Sequence, residues 1–151
     1  MGCPACGQEG HLTEHHGGCH CCNLEVLLRL SQPPEHTPLR ACSCSFCRAH
    51  NTRTTSDPDG SVEIWAKDWS LVQSYRFSSG TAEFLICRNC GVYIGAVCDT
   101  AAGIRAVINI NCLHDRAAFT RQPVSVDNDQ ETIEDRLARR AANWTPATLH
   151  Q

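Results

Sequence analysis

Apolar and polar residues alternate along much of the first two thirds of the chain. In residues 23–30 (NLEVLLRL), every second residue from Leu24 to Leu30 is apolar, which predicts a half-buried β-strand. Pro33 and Pro34 follow, and a proline pair cannot continue a strand ladder. Further β-rich runs are predicted at residues 62–65, 69–77, 82–86, 92–97 and 104–110. The pattern therefore indicates a mainly β protein.

The periodicity changes near the C-terminus. Ile133, Leu137, Ala141 and Trp144 are spaced four, four and three residues apart, which predicts an α-helix with one apolar face. Residues 127–129 (DND) precede it as candidate capping residues. The dipeptide Thr-Pro that follows Trp144 is expected to end the helix. The predicted fold class is therefore mainly β with a short C-terminal helix.

Composition and charge narrow the possible functions. The chain has 151 residues, of which 42% are hydrophobic, enough for one domain with its own core. The formal net charge is −3 and the pI is near 6.2, so no basic surface for nucleic acid is predicted. No apolar stretch has the length of a membrane span, and the N-terminus lacks the apolar core of a secretory signal. We expect a cytoplasmic protein without nucleic-acid or membrane partners.

Twelve cysteines are the most informative part of the composition. Seven of them form three clusters with the spacing of metal ligands: Cys19-x-Cys21, Cys42-x-Cys44-x-x-Cys47 and Cys87-x-x-Cys90. Disulfides are the alternative, but they require an oxidising compartment, and such tight pairs are typical of metal sites. Thiolate is also a preferred ligand of zinc. Metal binding is therefore the favoured interpretation.

The number of clustered cysteines predicts two kinds of site. A structural zinc ion takes four ligands in a tetrahedron, and the first and third clusters together supply four thiolates. The middle cluster supplies three thiolates from one short loop, which can cap one face of an ion. The remaining position would then be open to water or to a substrate thiolate. A metal ion with such a free position can take part in chemistry.

Three segments, GGCHCCNLEV, ACSCSFCRAH and FLICRNCGVYIG, resemble the signature segments of the glutathione-dependent formaldehyde-activating enzyme family, also called the GFA family. The resemblance runs from about Gly17 to Asn111. Cys22 stands where the family usually has a glycine. The C-terminal segment RLARRAANWTP is similar, more weakly, to that of bacterial aldehyde-activating members.

This resemblance implies an Mss4-like fold, in which several coiled antiparallel β-sheets surround zinc. It implies two zinc ions per chain, one structural and one more labile and catalytic. The implied ligands are Cys19, Cys21, Cys87 and Cys90 for the first ion, and Cys42, Cys44 and Cys47 for the second. The implied activity makes and breaks carbon–sulfur bonds, with S-hydroxymethylglutathione as the model product. The implied partner is a small thiol or a thiol–aldehyde adduct.

Two function hypotheses follow. The first is a zinc-dependent carbon–sulfur lyase, and the odd number of clustered cysteines favours it because a scaffold needs no open ligand position. The alternative is a non-catalytic zinc module for protein interaction or for sensing of thiols or metals. The sequence offers no obvious general base, which favours this alternative. A fold alone does not decide between the two.

Three parts of the chain are predicted. Residues 1–16 form an N-terminal extension with an extra C-x-x-C pair, residues 17–122 form the zinc-binding domain, and residues 123–151 form a C-terminal helical segment. The extra pair could build a third metal site with a nearby histidine, or it could belong to a disordered tail. The residues of that candidate site are Cys3 and Cys6, with His11, His15 or His16.

Other residues near the clusters have less certain roles. Three cysteines are expected to be buried small apolar residues rather than ligands, namely Cys22, Cys98 and Cys112. His20 could donate to a zinc thiolate or be simply exposed. His50 could complete the second zinc site or move protons, but a surface histidine is the favoured interpretation. Arg48 could attract a substrate carboxylate, although a single exposed arginine is usually only solvated.

Overall fold

Eleven β-strands and two helices make up most of the regular structure in the computed structural model, which describes residues 12–151. The strands are β1 (Thr13–Gly18), β2 (Leu24–Leu30), β3 (Arg40–Cys42), β4 (Thr54–Thr55), β5 (Ser61–Ala66), β6 (Val72–Tyr75), β7 (Glu83–Cys87), β8 (Tyr93–Thr100), β9 (Gly103–Asn109), β10 (Val124–Val126) and β11 (Thr145–His150). The helices are α1 (Ser45–Ala49) and α2 (Ile133–Asn143). The predicted mainly β class with a C-terminal helix is therefore confirmed.

The strands join into one sheet. Its main path runs β1-β2-β5-β11-β9-β4-β3-β10, and the meander β6-β7-β8 is attached through the pairing of β8 with β9. The last strand, β11, lies parallel to β5 on one side and antiparallel to β9 on the other. It therefore connects the half that starts at β1 to the half that carries the meander.

The core lies where the apolar faces of both halves meet. Leu24, Val26, Leu28 and Leu30 of β2 are all buried, as the alternation in this segment predicts. In β8, six consecutive residues from Tyr93 to Cys98 are buried. A strand shows such a continuous buried run when both of its faces are covered. The main core and α2, which packs on β8, provide the two covers.

Several boundaries differ from the sequence prediction. The run predicted at residues 69–77 begins as a 3-10 turn over Trp69–Leu71, because the Asp68 side chain accepts a hydrogen bond from the Ser70 backbone. Only Val72–Tyr75 forms a strand there. The N-cap of α2 is Thr132, whose hydroxyl accepts from the Asp135 backbone, so the acidic and amide residues predicted as caps lie too early.

Five strands were missed by the sequence prediction, namely β1, β3, β4, β10 and β11. The residues of β1 lie within the polar stretch TEHHGG, and β11 contains a proline. The predicted extension over residues 1–16 therefore overlaps a strand that pairs with β2, and the predicted helical segment over residues 123–151 also supplies β10 and β11. Cys3, Cys6 and His11 lie outside the described residues. Within residues 12–151, no helix is both long and apolar enough to cross a membrane.

Candidate metal centres

The first and third cysteine clusters meet in space to form a four-cysteine site, made of Cys19, Cys21, Cys87 and Cys90. The four Sγ atoms lie within 4.8 Å of one another. The Sγ of Cys21 is 3.7 Å from that of Cys19 and 3.5 Å from that of Cys87. Zinc–sulfur bonds of about 2.3 Å in a tetrahedron place sulfur atoms about 3.8 Å apart. The spacing of these thiols therefore fits a single zinc ion.

Two similar backbone turns present these thiols. In the first, the Cys22 N–H donates to the Cys19 carbonyl, and Cys22 has a φ of +66°. In the second, the Gly91 N–H donates to the Cys87 carbonyl, and Gly91 has a φ of +80°. The Leu24 N–H also donates to the Cys19 sulfur at 3.1 Å. Glycine tolerates this positive φ better than a residue with a Cβ atom, which suits Gly91 to its place directly after the third cluster.

Both turns are attached to the same loop. The Asn23 side chain donates to the Asp68 carbonyl and accepts from the Asp68 N–H, at 3.1 and 3.0 Å. The Arg88 N–H donates to the Leu71 carbonyl at 2.7 Å. Clusters that are 66 residues apart in sequence therefore share one rigid support. Cys19 and Cys87 are buried, and both belong to the main core.

The electrostatics of this site also favour a bound cation. Burial raises the pKa of the Cys19 thiol to about 12. Hydrogen bonds, of which that from Asn89 is the strongest, lower the pKa of Cys21 to about 6. Closely packed thiols cannot all ionise together, since adjacent thiolates repel one another. A divalent cation removes this conflict, so the donor set suits a soft metal ion such as zinc.

The middle cluster forms a separate three-cysteine site, made of Cys42, Cys44 and Cys47, whose Sγ atoms also lie within 4.8 Å of one another. Cys42 ends β3, Cys44 is the N-cap of α1, and Cys47 lies within α1. The Cys47 N–H donates to the Cys44 sulfur at 3.4 Å, so one ligand also caps the helix that carries another. The cluster therefore spans the end of a strand and a short helix.

The three thiols differ in their tendency to ionise. A hydrogen bond from Cys47 lowers the pKa of Cys42 to about 5. The same bond, together with burial, raises the pKa of Cys47, and burial raises that of Cys44. Tyr93 is buried beside these thiols, and its burial raises the pKa of the phenol well above its usual range. The site could hold a metal ion with three protein ligands and one position left for another group.

Unlike the four-cysteine site, the three-cysteine site opens into a cavity. This cysteine cavity has a volume of about 280 Å³, and all three cysteines line it. One wall is aromatic and includes Phe77, Phe84, Tyr93 and Trp144. Phe46 of α1 packs behind this wall, with ring centroids 4.8 Å from Phe84 and 5.0 Å from Tyr93. The thiols are therefore accessible to a small ligand while remaining largely shielded from bulk water.

Four arginines also line the cysteine cavity. Three of them project from α2, and the fourth lies on β3: Arg136, Arg139, Arg140 and Arg40. None of the four was predicted from the sequence as a site residue, although Arg136, Arg139 and Arg140 lie close together in it. Their spacing of three and four residues places them on one helical face, which was the available signal. Only the fold shows that Arg40 lines the same cavity as this helical face.

The remaining candidate residues lie outside both sites. His20, Arg48 and His50 are exposed, and the His50 ring packs on Phe46 at 4.5 Å between centroids. Neither metal group found among residues 12–151 includes a histidine. His15 is buried and hydrogen-bonds Asp115 and Thr13, whereas His16 is exposed. The prediction that three further cysteines are buried holds for Cys98, is wrong for Cys22, which is exposed, and is met in part by Cys112, which is half-buried.

Comparisons with known proteins add little to this geometry. No protein-family model matches the chain, and no curated protein matches it. Among solved structures, the chain is similar to a Rhodobacter sphaeroides protein, a Northeast Structural Genomics target, with 21% identity and a TM-score of 0.49. The match covers 88% of this chain and 99% of that one. Identity and structural similarity are both too low to transfer any function.

Proposed function

We propose that this protein is a zinc-dependent carbon–sulfur lyase of the glutathione-dependent formaldehyde-activating type, acting on a thiol–aldehyde adduct in the cysteine cavity. The observation that carries this proposal is the contrast between the two thiol groups. One has four ligands and is incorporated into the core, whereas the other has three and faces a cavity of about 280 Å³. The three signature segments and their cysteine spacing support the same assignment.

Cys42, Cys44 and Cys47 would hold the working metal ion, and Cys19, Cys21, Cys87 and Cys90 the structural one. Zinc bound by three thiolates supplies mild Lewis acidity and keeps an added thiol deprotonated near neutral pH. The protein's own contribution is the environment. Phe77, Phe84 and Trp144 exclude water from one side of the cavity, which limits competing hydrolysis of the adduct.

Among the described residues that line the cavity, Asp129 is the one carboxylate and therefore the one acidic side chain available as a general base. The Tyr93 phenol stays protonated at neutral pH because burial raises its pKa. It can therefore offer a hydrogen-bond donor but not accept a proton. Addition of a thiolate to an aldehyde gives an alkoxide, so formation of a hemithioacetal needs a proton donor, and its cleavage requires the hydroxyl to return that proton to a base. Asp129 or water can exchange this proton, so the residues of the cavity are compatible with the proposed reaction.

The first test uses cobalt in place of zinc, because thiolate ligation changes the visible spectrum of tetrahedral cobalt. We expect millimolar glutathione to change the bands of the three-cysteine site and to leave those of the four-cysteine site unaltered. Cys44→Ser should abolish this response while the fold is retained, since the two sites share no ligand. Cys22→Ser, at an exposed cysteine outside both sites, is the control and should respond like the wild type.

The second test follows the reaction. Addition of formaldehyde with glutathione should give turnover or exchange of the adduct, detected by NMR exchange spectroscopy, and Cys44→Ser should reduce it to the uncatalysed rate. If no thiol changes the cobalt spectrum and no adduct exchanges, the enzyme proposal fails. The alternative of a non-catalytic zinc module would then take its place.

A further inference from the structure

The charges of the cysteine cavity are unevenly balanced. Four guanidinium groups line it, whereas Asp129 is the one carboxylate among its lining residues within residues 12–151. Behind the cavity wall, Glu131 pairs with Arg139 through two hydrogen bonds of 2.8 and 2.9 Å. Glu131 also lies 3.8 Å from Arg136. These contacts neutralise part of the positive charge of Arg136 and Arg139. The other two arginines, Arg40 and Arg140, have no such carboxylate partner among the described residues.

Arg140 is held firmly in the cavity wall without an acidic partner. Its guanidinium group lies 4.7 Å above the Trp144 ring, and its Nη1 donates to the Thr81 hydroxyl at 2.7 Å and to the Cys98 sulfur at 3.6 Å. Within residues 12–151 it forms no ion pair with a carboxylate, and its buried Nε has no hydrogen-bond partner. A half-buried guanidinium without a carboxylate partner is a favourable place for a ligand that supplies one.

Arg40 stands in a similar position on β3. Its guanidinium group donates to the Ser56 hydroxyl, and it forms no ion pair with any carboxylate of the described residues. The side chain is half-buried and lines the same cavity as Arg139. Arg40 also lies only two residues from Cys42.

By contrast, the other two arginines are already satisfied. Arg139 is occupied by Glu131, and Arg136 donates to the Ser79 hydroxyl at 3.0 Å and to the Asn128 carbonyl at 2.8 Å. Their role is to hold the loop before α2 against the cavity. Among the four arginines of the cavity, Arg40 and Arg140 are therefore the two without a carboxylate partner.

We propose that Arg40 and Arg140 bind a carboxylate of the substrate, so that the cysteine cavity selects thiol–aldehyde adducts that carry an acid group. This inference rests on the proposed function and names its substrate class. Guanidinium groups match carboxylates in shape and charge, and such hydrogen bonds gain strength in a desolvated site. The carboxylate belongs to either the thiol half or the aldehyde half of the adduct. A cavity of about 280 Å³ limits the ligand to a modest size.

The test compares ligands that differ by one group. We expect 3-mercaptopropionate to bind the zinc-loaded protein at least about tenfold more tightly than 2-mercaptoethanol, as measured by calorimetry. This advantage should fall to within about twofold in Arg40→Met and in Arg140→Met, and it should shrink in the wild type as salt is raised. Arg116→Met, at an exposed arginine outside the cavity, is the matched control and should keep it.

A lysine variant controls for the possibility that a methionine variant fails to fold. Arg140→Lys preserves the charge but not the paired donors, so it should retain only part of the advantage. Equal affinity of the two thiols for the wild-type protein would overturn the proposal, whatever the variants do. Tighter binding of inorganic phosphate than of propionate would also overturn it, because the site would then be built for a different anion.

Further ligands distinguish the source of the carboxylate. If the acid group belongs to the thiol half, glutathione should bind more tightly than its diester. If it belongs to the aldehyde half, glyoxylate should react with 2-mercaptoethanol more readily than acetaldehyde does. Either preference supports the proposal when it is lost in Arg140→Met, and the absence of both overturns it.

The two proposals can fail separately. If thiols change the cobalt spectrum regardless of any carboxylate, the acid-group inference fails and the lyase proposal stands. If propionate binds in an arginine-dependent manner but no thiol changes the spectrum, the carboxylate site stands and the lyase proposal fails.

Discussion

The four-cysteine site and the three-cysteine site both consist of cysteine Sγ atoms, but they differ in their surroundings. Cys19 and Cys87 of the first are buried in the main core and belong to strands or turns from remote parts of the chain. The three cysteines of the second come from six consecutive residues and face a cavity. The four-cysteine site therefore links remote parts of the chain, whereas the three-cysteine site lies within one short segment.

Under the proposed function, accessibility is what separates the structural metal site from the reactive one. Closing a site with four ligands leaves no position for a substrate, and burying it in the core makes metal binding part of the folding free energy. A site with three local ligands contributes little long-range connectivity, because its loop is short. We therefore expect a metal ion at this site to be lost or exchanged while the rest of the fold persists.

The largest effect is expected from Cys87→Ser. It removes one of four ligands and leaves three buried thiols without a closed shell, so several kcal/mol of the free energy of unfolding should be lost. Soluble yield, the melting temperature and the zinc content of purified protein measure this. Cys22→Ser, which alters an exposed cysteine next to Cys21, is the control and should change the melting temperature little. Unchanged stability and zinc content in Cys87→Ser would contradict the structural role.

A smaller effect is expected from Phe46→Ala on α1. Phe46 lies between several rings, with centroids 4.5 Å from His50, 4.8 Å from Phe84 and 5.0 Å from Tyr93. Its removal should cost about 2–3 kcal/mol, below the usual range for a fully buried phenylalanine because the residue is only half-buried. Chemical denaturation measures the loss, and Phe46→Leu should show less than half of it.

The same variant separates the two sites. Because Cys47 follows Phe46 directly, the three-cysteine site should lose metal affinity in Phe46→Ala, while the four-cysteine site keeps its ion. Titration with a chromogenic chelator reports both affinities. Equal weakening of both sites would show that α1 supports the whole fold rather than the local site.

The sequence was sufficient to predict the parts of the fold whose pattern is local. The alternation from Leu24 to Leu30 acts within a few residues, and it was interpreted correctly. The strands β1 and β11 were missed for a physical reason. Their pairing is made by backbone groups, and their side chains carry little alternation, so only the neighbouring strands reveal them.

The candidate site shows the same limit. The cysteine spacing was enough to group the ligands, because metal geometry restricts which residues can meet. The wall of the cysteine cavity could not be derived in this way. Arg40 on β3, Phe84 on β7 and Arg140 on α2 come together only through the sheet order, which no local pattern encodes.

A modest stabilisation is expected from Cys22→Gly. Cys22 has a φ of +66°, a conformation that is unfavourable for any residue with a Cβ atom, and it ends a turn equivalent to the one that Gly91 ends. Glycine should relieve about 0.5–1 kcal/mol after its greater entropy in the unfolded chain is included. A thermal scan should show a rise of about 1–4 °C. Cys22→Ala keeps the Cβ atom and should give no rise.

The smallest effect on stability is expected from Cys44→Ser, although it makes the same chemical change as Cys87→Ser. Cys44 is the N-cap of α1, where its sulfur accepts the Cys47 N–H at 3.4 Å, and serine is a favoured residue at this position. After a mild chelator has removed the more labile metal ion, the variant should match the wild type within about 0.5 kcal/mol. Before chelation, it should contain about one zinc ion fewer per chain, as measured by elemental analysis. A fall in melting temperature as large as that of Cys87→Ser would show that both sites are structural. The contrast between a closed and an open site would then have to be abandoned, since an under-coordinated metal ion that the fold requires cannot exchange freely with a substrate thiol.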